Sequence, residues 1–169
     1  MSGLRSIQPE IKTLAEKCLV GIKKEESILT MDATSHWKEF MLRRNEVLDP
    51  IENEYYSVQE YNKDYSFSNF NPAATFKKWA AVAVVGKKNV PAGMEMLTLP
   101  GGKYAVFIYK GAAKYFSKAV QFIFMEWLPN SGYELDQRPH FEFLDKRYLG
   151  AASPNSEEEI WIPIKNKNL

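Results

Sequence analysis

Cysteine is almost missing from this chain. The single one, Cys18, can form no intrachain disulfide and builds no cysteine-based metal cluster. Its place in the apolar run Cys18-Leu19-Val20 reads as a small core residue rather than a nucleophile. Histidine is scarce as well. His36 and His140 are the two present, which leaves no cluster for a metal. Excess charge is lacking: 22 Lys and Arg face 21 Asp and Glu, a formal net charge of +1. The whole-molecule balance therefore gives no electrostatic reason to expect nucleic acid as a partner. The basic pairs Lys23-Lys24, Arg43-Arg44, Lys77-Lys78 and Lys87-Lys88 are scattered and read as solvated surface. No apolar run approaches the ~20 residues of a spanning helix, and MSGLRSIQPE lacks the apolar core of a signal peptide. The expectation is a cytoplasmic protein, neither secreted by that route nor inserted in a membrane, in a compartment that suits a cysteine-poor chain. G-x-S-x-G, the P-loop, the dinucleotide fingerprint and the metal-binding helix pair are all missing, so no cofactor is expected.

What the chain does have is aromatic surface. Phe, Trp and Tyr make up 14% of it, with four tryptophans and nine tyrosines. That exceeds what a plain core needs and points to an aromatic-lined pocket or interface. The 169 residues suffice for one domain with a real core.

The pattern along the chain falls into two similar halves. In the first, a strand is expected around Lys17–Lys24. Asp32 or Thr34 then caps a helix whose stripe carries Trp37, Phe40, Met41 and Leu48, and Asp49-Pro50 stops it. Tyr55–Tyr61 reads as an aromatic-rich strand, Asn62–Thr75 as a polar loop, and Phe76–Val85 as a strand. In the second half, Met94–Leu99 and Lys103–Tyr109 are strands with Pro100-Gly101-Gly102 as the turn between them. A helix from about Ala112 to Leu128 presents Phe116, Ala119, Val120, Ile123 and Trp127 on one stripe. The strand HFEFLD, a loop, and a last strand from about Glu157 to Lys165 follow. Trp37, Phe40, Met41, Phe116, Ile123 and Trp127 are expected to be core. Strand, helix, strand, strand thus occurs twice. The prediction is an α+β fold, a single domain over 1–169 with unit one at about 11–85 and unit two at about 94–165. The two units sit side by side on antiparallel sheet, and two long helices pack on it. No helix-turn-helix fits before the first strand, so no DNA-binding module is expected.

Four pieces of the second half resemble the gyrase-inhibitor-like (GyrI-like) domain family, the effector-binding domain of multidrug-sensing transcription activators. They are LPGGKYAVFIYKG (Leu99 to Gly111), EWLPNSGYEL (Glu126 to Leu135), HFEF (His140 to Phe143) and EIWIPIK (Glu159 to Lys165). The resemblance implies the same two-unit fold in pseudo-two-fold arrangement, with a groove between the units for amphipathic, often cationic, small molecules. It implies that Glu142 sits in that groove and that Trp161 lines it. The family's roles include drug sensing, protection from toxic compounds, gyrase inhibition and the hydrolytic opening of strained cyclopropane rings in DNA-alkylating natural products. The chain departs from the family pattern at Leu144, where a tyrosine is usual, and in a longer 146–156 loop.

Read from the residues alone, Glu142 has two meanings. Strand alternation puts His140, Glu142 and Leu144 on one face and Phe141 and Phe143 on the other. Either the phenylalanines face the core beneath the helices and Glu142 meets water, or Glu142 faces an aromatic groove. In a groove it would be poorly solvated, with a raised pKa, and would gain its best partner from an organic cation. The same property would serve a general acid or base, which makes Glu142 the catalytic candidate if the protein is an enzyme. Trp161, alternating with Ile160 and Ile162, is assigned to the groove side, with Trp79 as a candidate opposite wall through the repeat. Tyr56, Tyr61 and His140 are further ligand-binding candidates. The expected partner is a small amphipathic molecule, with neither direct nucleic acid nor membrane. The leading function is sensing or sequestering a toxic compound. Ring-opening hydrolysis and gyrase modulation are the alternatives.

Overall fold

A computed structural model describes residues 2–67, 69, 71–87 and 89–168. Lys88 of the fourth basic pair lies outside the described residues, as do Ser68 and Phe70 of the 62–75 loop. The strands are β1 (Gly3–Leu4), β2 (Glu10–Leu14), β3 (Lys17–Glu26), β4 (Pro50–Glu60), β5 (Phe76–Val84), β6 (Glu95–Leu99), β7 (Gly102–Lys110), β8 (Tyr133–Leu135), β9 (His140–Leu144) and β10 (Glu157–Asn166). They join in one antiparallel sheet of order β1-β7-β10-β9-β4-β5-β3-β6, with β2 also on β7 and β8 also on β10.

Helix α1 (Ala33–Arg43) starts where Asp32 accepts the Ser35 backbone N–H on Oδ1 at 3.0 Å, and a 3-10 turn (Arg44–Glu46) ends it. Phe40 is fully buried and Trp37 partly so, while Met41 is 45% exposed. The expectation for Met41 fails because the buried face centres on His36 and Phe40, four residues apart, and Met41 lies about 100° round the helix from Phe40. The second helix is composite: a 3-10 turn (Ala113–Tyr115), α2 (Phe116–Phe122), a π-turn (Ile123–Trp127) and a last turn α3 (Leu128–Asn130). Pro129 lies within that last turn. It has no N–H to give the preceding turn, and the wider π-turn lies just before it.

Each half is a strand-helix-strand-strand unit, β3-α1-β4-β5 and β7-α2-β9-β10, and the units meet where β4 pairs with β9. The flanking strands are exchanged. β2 precedes β3 yet pairs with β7, and β6 precedes β7 yet pairs with β3. The turn at Pro100-Gly101-Gly102 is therefore a crossover between units and closes no hairpin. It passes the matching Ala15-Glu16 link so closely that a Cβ on Gly101 would lie 2.9 Å from the Leu14 carbonyl.

These two crossovers draw the outer edges of the sheet together and curl it. The face without helices becomes interior, filled by Leu14, Leu19, Tyr56, Val58, Trp79, Leu99, Tyr104 and Phe141, all 7% exposed or less. The opposite face carries both helices. One core lies under α1 with Val20, Ile22, Phe40, Ala80 and Val82, and another under α2 with Ala105, Phe107, Ile123, Ile160 and Ile162. Between the helices the seam strands β4 and β9 are left as a strip.

Candidate functional site

Pairing partners across an antiparallel ladder point to one face. Ser57 opposes both Ala80 and Glu142, Gln59 opposes Lys78 and His140, and Glu142 opposes Ile160. Since Ala80 lies under α1 and Ile160 under α2, the side chains of Ser57, Gln59, Lys78, His140 and Glu142 all line the strip between the helices. Glu158, which flanks Ile160 on β10, joins them.

The strip is polar and poorly solvated. The Glu142 side chain is 14% exposed; its Oε1 accepts from Gln59 Nε2 at 3.2 Å and stands 3.9 Å from Lys78 Nζ, whose own side chain is 8% exposed. Lys78 thus leaves the expected solvated surface. It sits in a central strand between two others, and alternation turns it under α1 with Ala80.

Burial pushes the Glu142 carboxyl up, against the pull of Lys78 and Gln59. Glu158 is pushed up to about 8 by burial and by the charge of Glu142, with Lys78 opposing. Lys78 is pushed down by burial, which both carboxylates resist. His140 is held down to about 3 by burial and by the charge of Arg138, so its ring is neutral. Arg138 itself is committed to Asp136 at 2.8 Å and lies 4.5 Å over the Tyr104 ring. His36 on α1 donates from Nε2 to the Ile22 carbonyl at 2.8 Å; burial lowers its pKa, and the ring stays neutral beside Lys78. Among the described residues, the titratable groups at the strip thus include the Glu142 and Glu158 carboxyls, the Lys78 amine and the neutral rings of His36 and His140, with the Tyr61 and Tyr148 hydroxyls in the field of the carboxylates.

Rings close one end of the strip. Tyr61 stands edge-on to His140 at 4.9 Å and to Phe67 at 4.9 Å, and packs on Tyr65 at 4.5 Å and Phe76 at 5.2 Å. Phe67 lies nearly parallel to Phe124 of the π-turn at 4.6 Å and to His140 at 5.3 Å.

Glu142, His140 and Tyr61 are thus brought together. Trp161, Trp79 and Tyr56 are not among them. Trp161 pairs in register with Phe141, and therefore faces the interior of the curled sheet, stacked on Phe141 at 5.2 Å. Trp79 and Tyr56 share that interior; Trp79 donates to Glu60 at 2.7 Å as Trp161 donates to Glu159 at 2.9 Å. The two isoleucines beside Trp161 do face a helix core, as expected, but Glu142 shares their face. Phe141 and Phe143 likewise pack inside the curl and not beneath the helices. Gln59, Phe67, Phe124 and Glu158 carried no expectation as site residues, and Lys78 was expected at the solvated surface. The one signal that could have found Lys78 was its place in the apolar strand Phe76–Val84.

The fold is thus an antiparallel sheet of two repeated units, with two helices on one face and a strip of buried polar and charged side chains between them. The chain belongs to the GyrI-like small molecule binding domain family, whose model matches residues 7–165. It is 30% identical over 128 residues to the transcriptional regulator BrlR of Pseudomonas aeruginosa, a match spanning 76% of this chain and 44% of BrlR. The chain therefore corresponds to less than half of that regulator. Among solved structures it resembles the EcmrR C-terminal domain, with TM-score 0.71 and 17% identity over 95% of this chain and 98% of that one. It also resembles SAV2435 bound to tetraphenylphosphonium, with TM-score 0.67 and 20% identity over 94% of each chain. No helix among the described residues is long and apolar enough to cross a membrane.

Proposed function

We propose that the protein binds a hydrophobic organic monocation, aromatic or polycyclic, in the strip between the helices, and that it thereby senses or sequesters a toxic compound. The observation that carries this reading is the charge count at the seam. Once both are ionised, Glu142 and Glu158 have Lys78 as their one cationic neighbour among the described residues of the strip, and the histidines beside them are neutral. A second positive charge without a hydration shell to lose would complete the set, and the rings of Tyr61 and Phe124 suit its aryl groups. The tetraphenylphosphonium complex of SAV2435 supports the same chemistry on this fold.

Titration with tetraphenylphosphonium, followed by tryptophan fluorescence, tests it. Saturable binding that weakens about ten- to a hundredfold in Glu142→Gln is expected, the range of a lost charge-assisted contact. Equal affinity in the two proteins would sink the reading.

One observation favours a hydrolase as the second reading. A carboxyl that keeps its proton near neutrality, Glu158, stands in the field of a second carboxylate, Glu142. That is the arrangement of an acid and a base in one site. Consumption of a cyclopropane-bearing alkylator, with water added across the opened ring and activity lost in Glu142→Ala, would establish it. Recovery of the intact compound would exclude that substrate class.

A further inference from the structure

The Glu142 strip is poorly solvated, with the Glu142 side chain 14% exposed. Beside it lies a cleft of about 580 Å³, whose lining includes Tyr65, Phe67, Phe124, Leu128, Pro129 and Leu135. Its lining is mostly apolar, as a site for an aromatic body requires. Glu142 is not part of that lining; Phe67 is. The same Phe67 ring touches His140 of the strip at 5.3 Å and Phe124 of the cleft at 4.6 Å, nearly parallel to both. Its own chain segment follows the end of β4 and pairs with no described strand. The segment closes turns on itself, Tyr65 N–H to the Asn62 carbonyl at 2.9 Å and Asn69 N–H to Ser66 Oγ at 2.9 Å. Gln137 Nε2 donates to the Tyr61 carbonyl at 3.0 Å at the start of the segment, and the Phe67 ring itself contacts Tyr61, Tyr65, Phe124 and His140.

From this placement we infer that Phe67 is a displaceable gate between the apolar cleft and the Glu142 strip, held where a ring of the ligand stacks once the gate swings out. The inference rests on the function proposed above and adds the route and the geometry of entry. A cationic aryl compound first fills the cleft. Its ring then replaces Phe67 against Phe124 and His140, and its charge comes within reach of Glu142. The ring contacts of Phe67 with Phe124 and His140 are an internal competitor. Apparent affinity is reduced by the fraction of molecules in which the gate is shut, and a change that removes the competitor returns that loss.

The test compares tetraphenylphosphonium binding to the wild-type chain, Phe67→Ala and Phe67→Leu, measuring both equilibrium affinity and association rate by stopped flow. Phe67→Leu keeps an apolar side chain and so controls for a variant that merely folds poorly; thermal melts of all three accompany the titrations. Removing the ring is expected to speed association and to tighten binding roughly two- to tenfold in both variants, the scale of an aromatic pair. Unchanged rates, or weaker binding in a variant with a normal melt, would overturn the gate and make Phe67 a fixed wall. The two readings fail separately. Wild-type binding that weakens in Glu142→Gln while the Phe67 variants gain nothing removes the gate and keeps the cation site. Absence of binding in the wild type and in both Phe67 variants removes both.

Discussion

Glu142 matters because of its neighbours. Alone on a strand it would be an ordinary solvated carboxylate; beside Lys78, Glu158 and Gln59, below two helices, it is part of a strip that is short of one positive charge once both carboxyls ionise. The pH dependence follows. A cation binds best when both carboxyls are ionised. Glu158 titrates near 8, so affinity for tetraphenylphosphonium should rise between pH 6 and 8, by up to about tenfold per pH unit, and the slope should flatten in Glu158→Gln. Fold stability has the opposite sign there. The folded state holds the Glu158 proton more tightly than the unfolded chain, so this group contributes stability that is complete below 4.5 and lost as pH rises to about 8. Thermal melts between pH 6 and 8 should accordingly depend less on pH in Glu158→Gln than in the wild type. Lys78→Met removes the internal counter-ion. It should lower the melting temperature and raise cation affinity several-fold at pH 8, which paired melts and titrations would check.

At the scale of elements, two features are sharply specified. The Asp32 cap satisfies the first turn of α1 through Ser35, and Asp32→Ala should cost about 1 kcal/mol in a denaturant titration. Strand β3 lies so close to β5 at Gly21 that an added Cβ would come within 2.7 Å of the Ala81 methyl and nearer still to the Ala80 carbonyl. Gly21→Ala should therefore destabilise by about 1–3 kcal/mol or more, read as a lowered denaturation midpoint with an unchanged slope. The strands and both helices were legible from period and capping, mostly to within a few residues. The short strands β1, β2 and β8 were not. They carry little apolar alternation of their own and are strands because β7 and β10 offer edges to pair with.

For the whole molecule, the exchanged strands and the shared interior of the curled sheet bind the units to each other. Leu14, Leu99, Tyr56, Phe141 and Trp79 come from both units and pack into one core. Unfolding should therefore be a single transition. Trp37 and Trp79 report on unit one, Trp127 and Trp161 on unit two. Variants that keep only one pair should melt together and with the far-ultraviolet circular dichroism signal. Separate midpoints would mean that the units unfold independently.

The sequence by itself determined the α+β class, the order of elements and the family, because period, caps and turn residues act locally. Glu142 was singled out through the family resemblance, with His140 and Tyr61 as further candidates, while strand alternation alone left open whether the Glu142 face meets water or a groove. The sequence could not determine what each face meets. Trp161, Trp79 and Tyr56 looked like groove walls, yet β2 and β6 pair across units and fold the sheet over them. Lys78 looked like surface, yet β5 lies between β3 and β4 with α1 above it. Phe67 looked like loop, yet it rests on rings distant in the chain, Phe124 and His140. Those outcomes depend on strand order and on sheet curvature. Both are set by pairings between residues far apart in sequence, which only the folded chain brings together.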